Sequence, residues 1–293
     1  MFIAKDFHDF KKLFIDGLSN MLADDQLGAF ILVLANSMQD AELRQALSPA
    51  LQSNFIALKQ RHLVGELNAT DDDSDVFDKL LSLDMGIHNL PAWTAHEIGR
   101  WRAMVNPMRS LRPPRASNDT RSSIYADFDP GAFNFNKPFL RPEILWQGDW
   151  CGVDLRVLYN KFPFAPCHLI VVPDPGLQNP QYLTAEYHAL IWDLLVQQQG
   201  VLPGLAVGYN SLGACASVNH LHFQSIVREH PLPIERDKWK HNGGSDVYPM
   251  RCHDFESNPE SWRLLEKFHA DDQAYNLFYR PGRCYVIPRR LQG

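Results

Sequence analysis

The sequence predicts an α+β fold, an antiparallel sheet with helices packed on one face, preceded by a helical N-terminal region. Three observations predict it. Over residues 1 to about 90, apolar side chains recur at three- and four-residue intervals, the stripe of an amphipathic helix. From residue 133 onward the pattern changes to short extended segments bounded by Pro and Gly, as in strands and hairpins. Two of the hairpins, each ending in Val-Pro or Ile-Pro (Val172-Pro173 and Ile287-Pro288), follow one plan, which points to an internally duplicated sheet of half-barrel type. The division expected is residues 1–92 for the helical region and 93–293 for the sheet domain.

Phe7, Phe10, Leu13, Phe14, Leu18 and Met21 mark a first helix, and Leu27, Phe30, Ile31 and Leu34 a second that packs with it. A third is predicted from Ala50 to about Leu63, with Pro49 at its start, where a missing N–H costs nothing. Asp71-Asp72-Asp73-Ser74-Asp75 lacks the Gly and distal Glu of a calcium loop. It reads instead as the acidic start of a helix carrying Val76, Phe77, Leu80 and Leu81, since carboxylates favour the positive end of the helix dipole. Thr94-Ala95-His96-Glu97 matches a capping box and predicts a helix from 95 to 105. Residues 106–123, with Pro107, Pro113 and Pro114 among Arg109, Arg112, Arg115 and Arg121, read either as an extended solvated linker or as a phosphate-facing arginine cluster.

Phe133–Lys137 and Glu143–Trp146 are predicted as short extended segments. Asp154–Asn160 and Cys167–Pro173 form a hairpin, with His168 a packing residue, and Tyr275–Tyr279 with Cys284–Arg289 form another around Pro281-Gly282. Between them, Thr184 to Gln199 sets Tyr187, Leu190, Ile191, Leu194 and Leu195 on one helical face, ended by Gly200. Gly208 to Val227 then reads as strand, Gly/Ala/Ser loop and strand. In the second strand Leu221, Phe223 and Ser225 alternate with His220, His222 and Gln224, so two imidazoles and an amide share the face opposite the helix. Trp146, Trp192 and Phe223 read as core.

With 45% apolar and 21% charged residues in 293, the chain has the composition of a globular protein, and a net charge of −6 argues against coating nucleic acid. No run is long or apolar enough to span a bilayer, and the N-terminus lacks a leader pattern, so a cytoplasmic protein without membrane partners is expected. The five cysteines are odd in number and form no C-x-x-C pair; Cys252-His253 has no ligand partners at metal-site spacing, so neither metal nor other cofactor is expected.

Hairpin, helix and then H-x-H-x-Q resembles the histidine-triad superfamily in its galactose-1-phosphate uridylyltransferase-like branch, where glutamine replaces the third histidine of the hydrolases. Within it, Tyr209-Asn210-Ser211-Leu212-Gly213-Ala214 and Asn219-His220-Leu221-His222-Phe223-Gln224 are similar to the GDP-hexose phosphorylases, those of GDP-L-galactose and GDP-D-glucose. Asn106 with Arg109, Arg112 and Pro113, then Phe133–Lys137, Cys167–Pro173 and Val286–Arg289, are supporting pieces. The resemblance covers roughly residues 100 to 293 and leaves out the helical start.

The resemblance implies a nucleotidyltransferase in which His222 attacks the α-phosphorus of a nucleoside diphosphate sugar, a GDP-hexose by preference. Phosphate or a sugar phosphate then takes the nucleotidyl group. A neutral imidazole is a competent nucleophile for such a step. His220 would orient the site and Gln224 donate to a non-bridging oxygen; Asn210, Gly213 and Ser217 match the phosphate loop, and Arg112, Lys137 and Arg283 are candidate phosphate contacts. A dinucleoside polyphosphate phosphorylase or a specialised-pathway nucleotidyltransferase would use the same histidine. A nucleotide-binding regulatory module would use the fold without catalysis. A homodimer is compatible with each.

Overall fold

The structure, a computed structural model, describes residues 2–24, 26–83, 87, 90–99, 101–112, 122–228 and 231–292. The chain divides into two compact units, one of residues 8–115 with 159–168 and the other of residues 1–7, 116–158 and 169–293.

The first unit is mainly helical. Helix α1 (Phe7–Asn20) buries Phe10, Phe14 and Leu18, and α2 (Leu27–Ser37) is buried almost throughout. Helix α3 (Ala41–Leu63) is longer than predicted: Asp40 caps it by accepting from Leu43 N at 2.7 Å, and Pro49 lies inside. Burial of Leu43, Leu47, Leu51 and Leu58 along one face outweighs the single backbone bond that Pro49 removes. Helix α4 (Asp71–Ser82) starts as predicted on its acidic run, capped by Thr70. Phe30, Phe55 and Phe77 meet at centroid distances of 6.0 to 6.2 Å between α2, α3 and α4. Residues 159–168 belong to this unit through Tyr159, whose hydroxyl donates to Phe14 O at 2.7 Å, and Lys161, which pairs with Asp73.

The helix predicted from 95 to 105 is instead a hairpin, β1 (Thr94–Ile98) and β2 (Trp101–Val105), in register Ile98↔Trp101. Gly99, at φ +60°, supplies the left-handed turn that a two-residue hairpin loop needs, and that conformation ends a helix. Thr94 Oγ1 meets His96 Nε2 at 3.1 Å. In the basic segment Asn106 caps a single turn, α5 (Pro107–Ser110), accepting from Met108 N and donating to Pro163 O at 2.7 Å. Residues 113–121 of that segment, Arg115 and Arg121 included, lie outside the described residues.

The second unit is built on one sheet. Its strands are β3 (Ile144–Trp150), β4 (Val153–Tyr159), β5 (Leu169–Pro173), β6 (Leu205–Asn210), β7 (Phe223–Val227), β8 (His253–Phe255), β9 (Tyr275–Arg280) and β10 (Arg283–Pro288), in spatial order β3-β4-β5-β7-β6-β9-β10-β8. The two predicted hairpins thus flank the central pair β7-β6. Helices α6 (Ala185–Gln198) and α7 (Asn258–Ala270) pack together, α6 on β6 and β9 and α7 on β8 and β10. The α+β class, with its antiparallel sheet and helical start, is as expected.

Strand parity sorts the two faces. Tyr279, paired with Val207, reaches His188 of α6, so Tyr275, Leu277, Tyr209 and Val207 face the helices while Asn276, Phe278, Asn210 and Gln224 face away. Two small clusters cover the ends of the far face. Phe135, Leu140 and Val218 lie over Leu158, Ile170 and Val172 at one end, and Ile234 with Leu232 and Tyr248 packs on Tyr285 and Ile287 at the other. Between them Asn210, Gln224 and Asn276 remain half-buried.

The segment Phe133–Lys137, predicted extended, is a turn leading into a short 3-10 stretch (Pro138–Glu143). Asn134 Oδ1 accepts from Asn136 N at 3.1 Å and the Asn134 carbonyl accepts from Lys137 N at 3.3 Å, so asparagine closes the backbone on itself instead of letting it pair. The strand predicted to include His220 and His222 begins only at Phe223; both histidines lie on its approach.

Candidate active site

The loop from β6 to β7 is held to β9 at its root. Ser211 N donates to Tyr275 O at 3.1 Å and Ser211 Oγ accepts from Tyr275 N at 3.0 Å. Gly213 then turns the chain at φ +71°, a conformation that a side chain would strain. These bonds return the chain across the sheet edge and bring His220 and His222 beside the end of β6.

Both imidazoles are buried, His220 fully and His222 to 6% exposure. His222 Nδ1 lies 2.7 Å from His220 O. A carbonyl only accepts, so Nδ1 carries the proton and Nε2 keeps the lone pair. His220 has the opposite tautomer: its Nδ1 accepts from Phe135 N at 3.1 Å, which leaves the proton on Nε2, a buried atom on the side of the Pro175 carbonyl. The Phe135 ring stands 5.0 Å from His222 and 5.8 Å from His220, and Phe128 packs edge-on to His220 at 5.2 Å. Arg156 holds the Phe135 turn, donating from Nη1 to Phe135 O and Asn136 Oδ1, both at 3.0 Å.

Burial disfavours the imidazolium at both positions. The pKa of His222 is pushed down to about 4 by desolvation, against which its bond to His220 O works. That of His220 is also pushed to about 4, by desolvation first and then by the charges of His222 and Arg156, against which a backbone bond to Pro175 works. Two neutral rings with assigned tautomers therefore sit at one end of the sheet, one offering a lone pair and the other an N–H. Such a pair suits nucleophilic attack on an anionic centre.

Residues 100–226 match the GDPGP1-like N-terminal domain. The matched span ends in β7 and contains both histidines and Gln224. Over 146 residues the chain is 38% identical to GDP-D-glucose phosphorylase 1 of Homo sapiens, covering 46% of this chain and 36% of that protein. It is 28% identical over 151 residues to GDP-L-galactose phosphorylase 1 of Arabidopsis thaliana, covering 46% and 33%. The chain thus spans about a third of the length of the curated relatives it matches. A crystal structure of yeast Ap4A phosphorylase Apa2 in complex with Ap4A aligns with a TM-score of 0.43 and 17% identity, over 75% of this chain and 81% of that one. The likeness to GDP-hexose phosphorylases read from Gly208 to Gln224 is shown by the matched domain and these two relatives.

Of the other sequence-predicted residues, Gln224 is on β7 and half-buried, on the face away from the helices. Asn210 closes β6, and its Oδ1 accepts from Asn276 Nδ2 at 2.7 Å. Gly213 is in the loop turn, and Ser217 is exposed on the same loop. Lys137 spends its ammonium locally, donating to Pro130 O at 3.1 Å and Gly131 O at 3.4 Å. Arg283 is three strands away from β7, on β10, where its guanidinium makes a two-bond fork with Asp254. Arg112 belongs to the first unit, just beyond α5. The histidines, Asn210 and Gln224 are brought together; Arg283 is not, and Lys137 meets the group only through its turn.

Three contributors were assigned no role from the sequence, although one of them, Asn219, stands in the same motif as the histidines. Asn276 Nδ2 also donates to Ala214 O at 2.8 Å, and Asn276 Oδ1 accepts from Arg289 Nη1 at 2.6 Å, so a guanidinium is linked through one amide to the loop. Asn219 ties the approach to residues 126–127 through Nδ2 and accepts from Gln181 N at 2.9 Å. Gln181 is fully buried, with its carboxamide against His222 and Asn210. For Asn276 and Gln181 the only sequence signal is polarity inside otherwise apolar surroundings. Among the described residues no group of three or more His, Cys, Asp or Glu is placed to hold a metal ion.

Proposed function

We propose that this chain carries the catalytic site of a nucleotidyltransferase of the sugar-nucleotide phosphorylase type, with a GDP-hexose as the favoured substrate. One observation carries the proposal: the His222 Nδ1–H is committed to His220 O, which leaves an unprotonated Nε2 on a ring that burial keeps neutral. Nε2 attacks the α-phosphorus, the bond to the bridging oxygen breaks, and hexose 1-phosphate leaves with that oxygen. The positive charge that forms on the ring is met by the carbonyl already bonded at Nδ1. Inorganic phosphate then attacks the same phosphorus, giving GDP and returning His222 to its neutral form.

The His220 Nε2–H and the Gln224 amide are the donors proposed for the non-bridging oxygens. Neither titrates near neutral pH, which fits a transfer whose leaving groups carry phosphate and need no proton. Asn210, Gly213 and Ser217 are proposed to hold the phosphates, and the protein is proposed to act in the cytoplasm in a form compatible with a homodimer.

Mixing the protein with a GDP-hexose in the absence of phosphate tests the proposal. Mass spectrometry is expected to find an acid-labile guanylyl adduct that phosphate discharges as GDP, and His222→Ala to abolish it. No adduct with any nucleoside diphosphate sugar or dinucleoside polyphosphate would refute the enzyme and favour a nucleotide-binding module. An adduct persisting in His222→Ala would move the nucleophile elsewhere.

A further inference from the structure

We infer that Gln181 is a positioning residue for the nucleophile, its side-chain amide replacing one rung of the β6–β7 ladder and holding that pair of strands open at His222. The inference deepens the proposed function and rests on its choice of nucleophile. Strands β6 and β7 pair from Leu205↔Val227 to Gly208↔Gln224, and counting on in the same register sets Asn210 opposite His222. In an antiparallel pair, alternate residue pairs exchange backbone hydrogen bonds. Arg228 N donates to Gly204 O at 3.1 Å, so 204/228 is of the bonded kind, and 206/226, 208/224 and 210/222 follow it.

The Asn210/His222 rung is where those bonds are due, and it is where they are replaced. His222 N donates to Gln181 Oε1 at 2.8 Å, while Gln181 Nε2 donates to Asn210 O at 2.8 Å and His222 O at 3.1 Å. One carboxamide thus satisfies an N–H and two carbonyls that would otherwise bond across the strands, and its width separates them. Gln181 is itself fixed on its backbone, accepting at O from Tyr209 OH at 3.1 Å and donating from N to Asn219 Oδ1 at 2.9 Å.

Only a primary amide of this length supplies one acceptor and two donors in a plane. Without it, the two strands can close and form their missing rung, and closure would turn the backbone of His222 and withdraw Nδ1 from His220 O. A misplacement of about 1 Å at a reacting group costs about 100-fold in rate.

The test uses Gln181→Leu, of similar volume, and Gln181→Glu, which keeps an acceptor and, when protonated as burial against two carbonyls favours, one donor. In the full-length protein with nitrogen-15-labelled histidine, the His222 ring is expected to show a slowly exchanging Nδ1–H. Gln181→Leu should lose that signal and shift the ring toward the Nε2–H form that free imidazole prefers, with Gln181→Glu intermediate. For GDP-hexose turnover, kcat should fall about 100-fold in Gln181→Leu and less in Gln181→Glu, with KM held within about threefold. An unchanged His222 ring signal in folded Gln181→Leu overturns the inference, as does a loss confined to KM. If Gln181→Leu does not fold, the ring signal of Gln181→Glu decides in the same way. The ring signal answers for the wild type whether or not it turns over any nucleotide, so failure of the enzyme proposal and failure of the positioning role are told apart.

Discussion

Lowering the pH is expected to destabilise the sheet unit before ordinary carboxylates titrate, because three of its histidines are buried neutral. His188, His220 and His222 each have a pKa pushed down to about 4, with desolvation the first cause in every case. The unfolded chain takes up these protons near the ordinary value of about 6.5 and the folded chain only near 4, so the stability they permit is complete above 6.5 and is lost as pH falls through that window. At about pH 5 each histidine removes about 2 kcal/mol, about 6 for the three, because all remain neutral in the folded state and their mutual repulsion has not begun. That loss is comparable to the whole stability of an ordinary domain, about 5 to 15 kcal/mol. Urea unfolding followed by circular dichroism and tryptophan fluorescence at about pH 7.5, 6 and 5 measures it directly. His188 provides the internal control. Its Nδ1 accepts from Tyr279 OH at 2.6 Å and its Nε2–H donates to Ser261 Oγ at 2.9 Å, whose own proton goes to Asn258 O, so a second proton on the ring would force the tyrosine hydroxyl to turn away. His188→Phe should lower stability at neutral pH yet lose about 2 kcal/mol less than wild type between pH 7.5 and 5. A variant that loses as much as wild type over that interval would show that His188 does not titrate on unfolding and would refute the reasoning.

Two more outcomes are expected. Adduct formation by His222 should hold its rate down to the pH at which the fold gives way, with no inflection near 6.5; such an inflection, measured by rapid quench on folded protein, would mean that the ring is exposed to solvent charge and not held neutral. Asn276→Ala should raise KM for the nucleotide and lower stability by about 1 to 2 kcal/mol in urea, since it strands the Arg289 guanidinium and frees Asn210 and the Ala214 carbonyl at once; wild-type values in both would remove Asn276 from the site.

What could be read from the sequence is what periodicity records. Helices α1, α2, α4 and α6 announce themselves because one face of each is continuously apolar, and the parity of β7 correctly separates Phe223 and Ser225 from Gln224. Local pattern fails where two local rules compete. Thr94-x-x-Glu97 satisfies a capping box, but Gly99 in the left-handed region decides for a hairpin, and Pro49 is overridden by four buried leucines on its own helix. Alternation also says which face a side chain takes and not where the ladder starts, so the pattern puts His220 and His222 inside a strand that begins only after them. Gln181 was illegible for a stronger reason. Its role is defined by a rung between strands that begin and end elsewhere in the chain, and nothing in its neighbours announces that rung.

The same opening explains why the nucleophile stands where it does. A histidine inside a continuous ladder has its backbone committed on both sides, and its side chain stands on the sheet face between cross-strand side chains about 5 Å away, which crowd a phosphoryl group. Beyond the end of a ladder the side chain gains room but loses the hydrogen bonds that hold it in place. The Gln181 amide resolves the conflict: His222 keeps an N–H and a carbonyl bonded as in a sheet, yet the strand opposite is displaced. Its freed approach then curves so that the carbonyl two residues before it, His220 O, reaches Nδ1 and selects the tautomer. Tautomer and position thus have one origin, and a substitution that restores the backbone rung should disturb both together while leaving Leu205↔Val227, at the far end of the pair, in register.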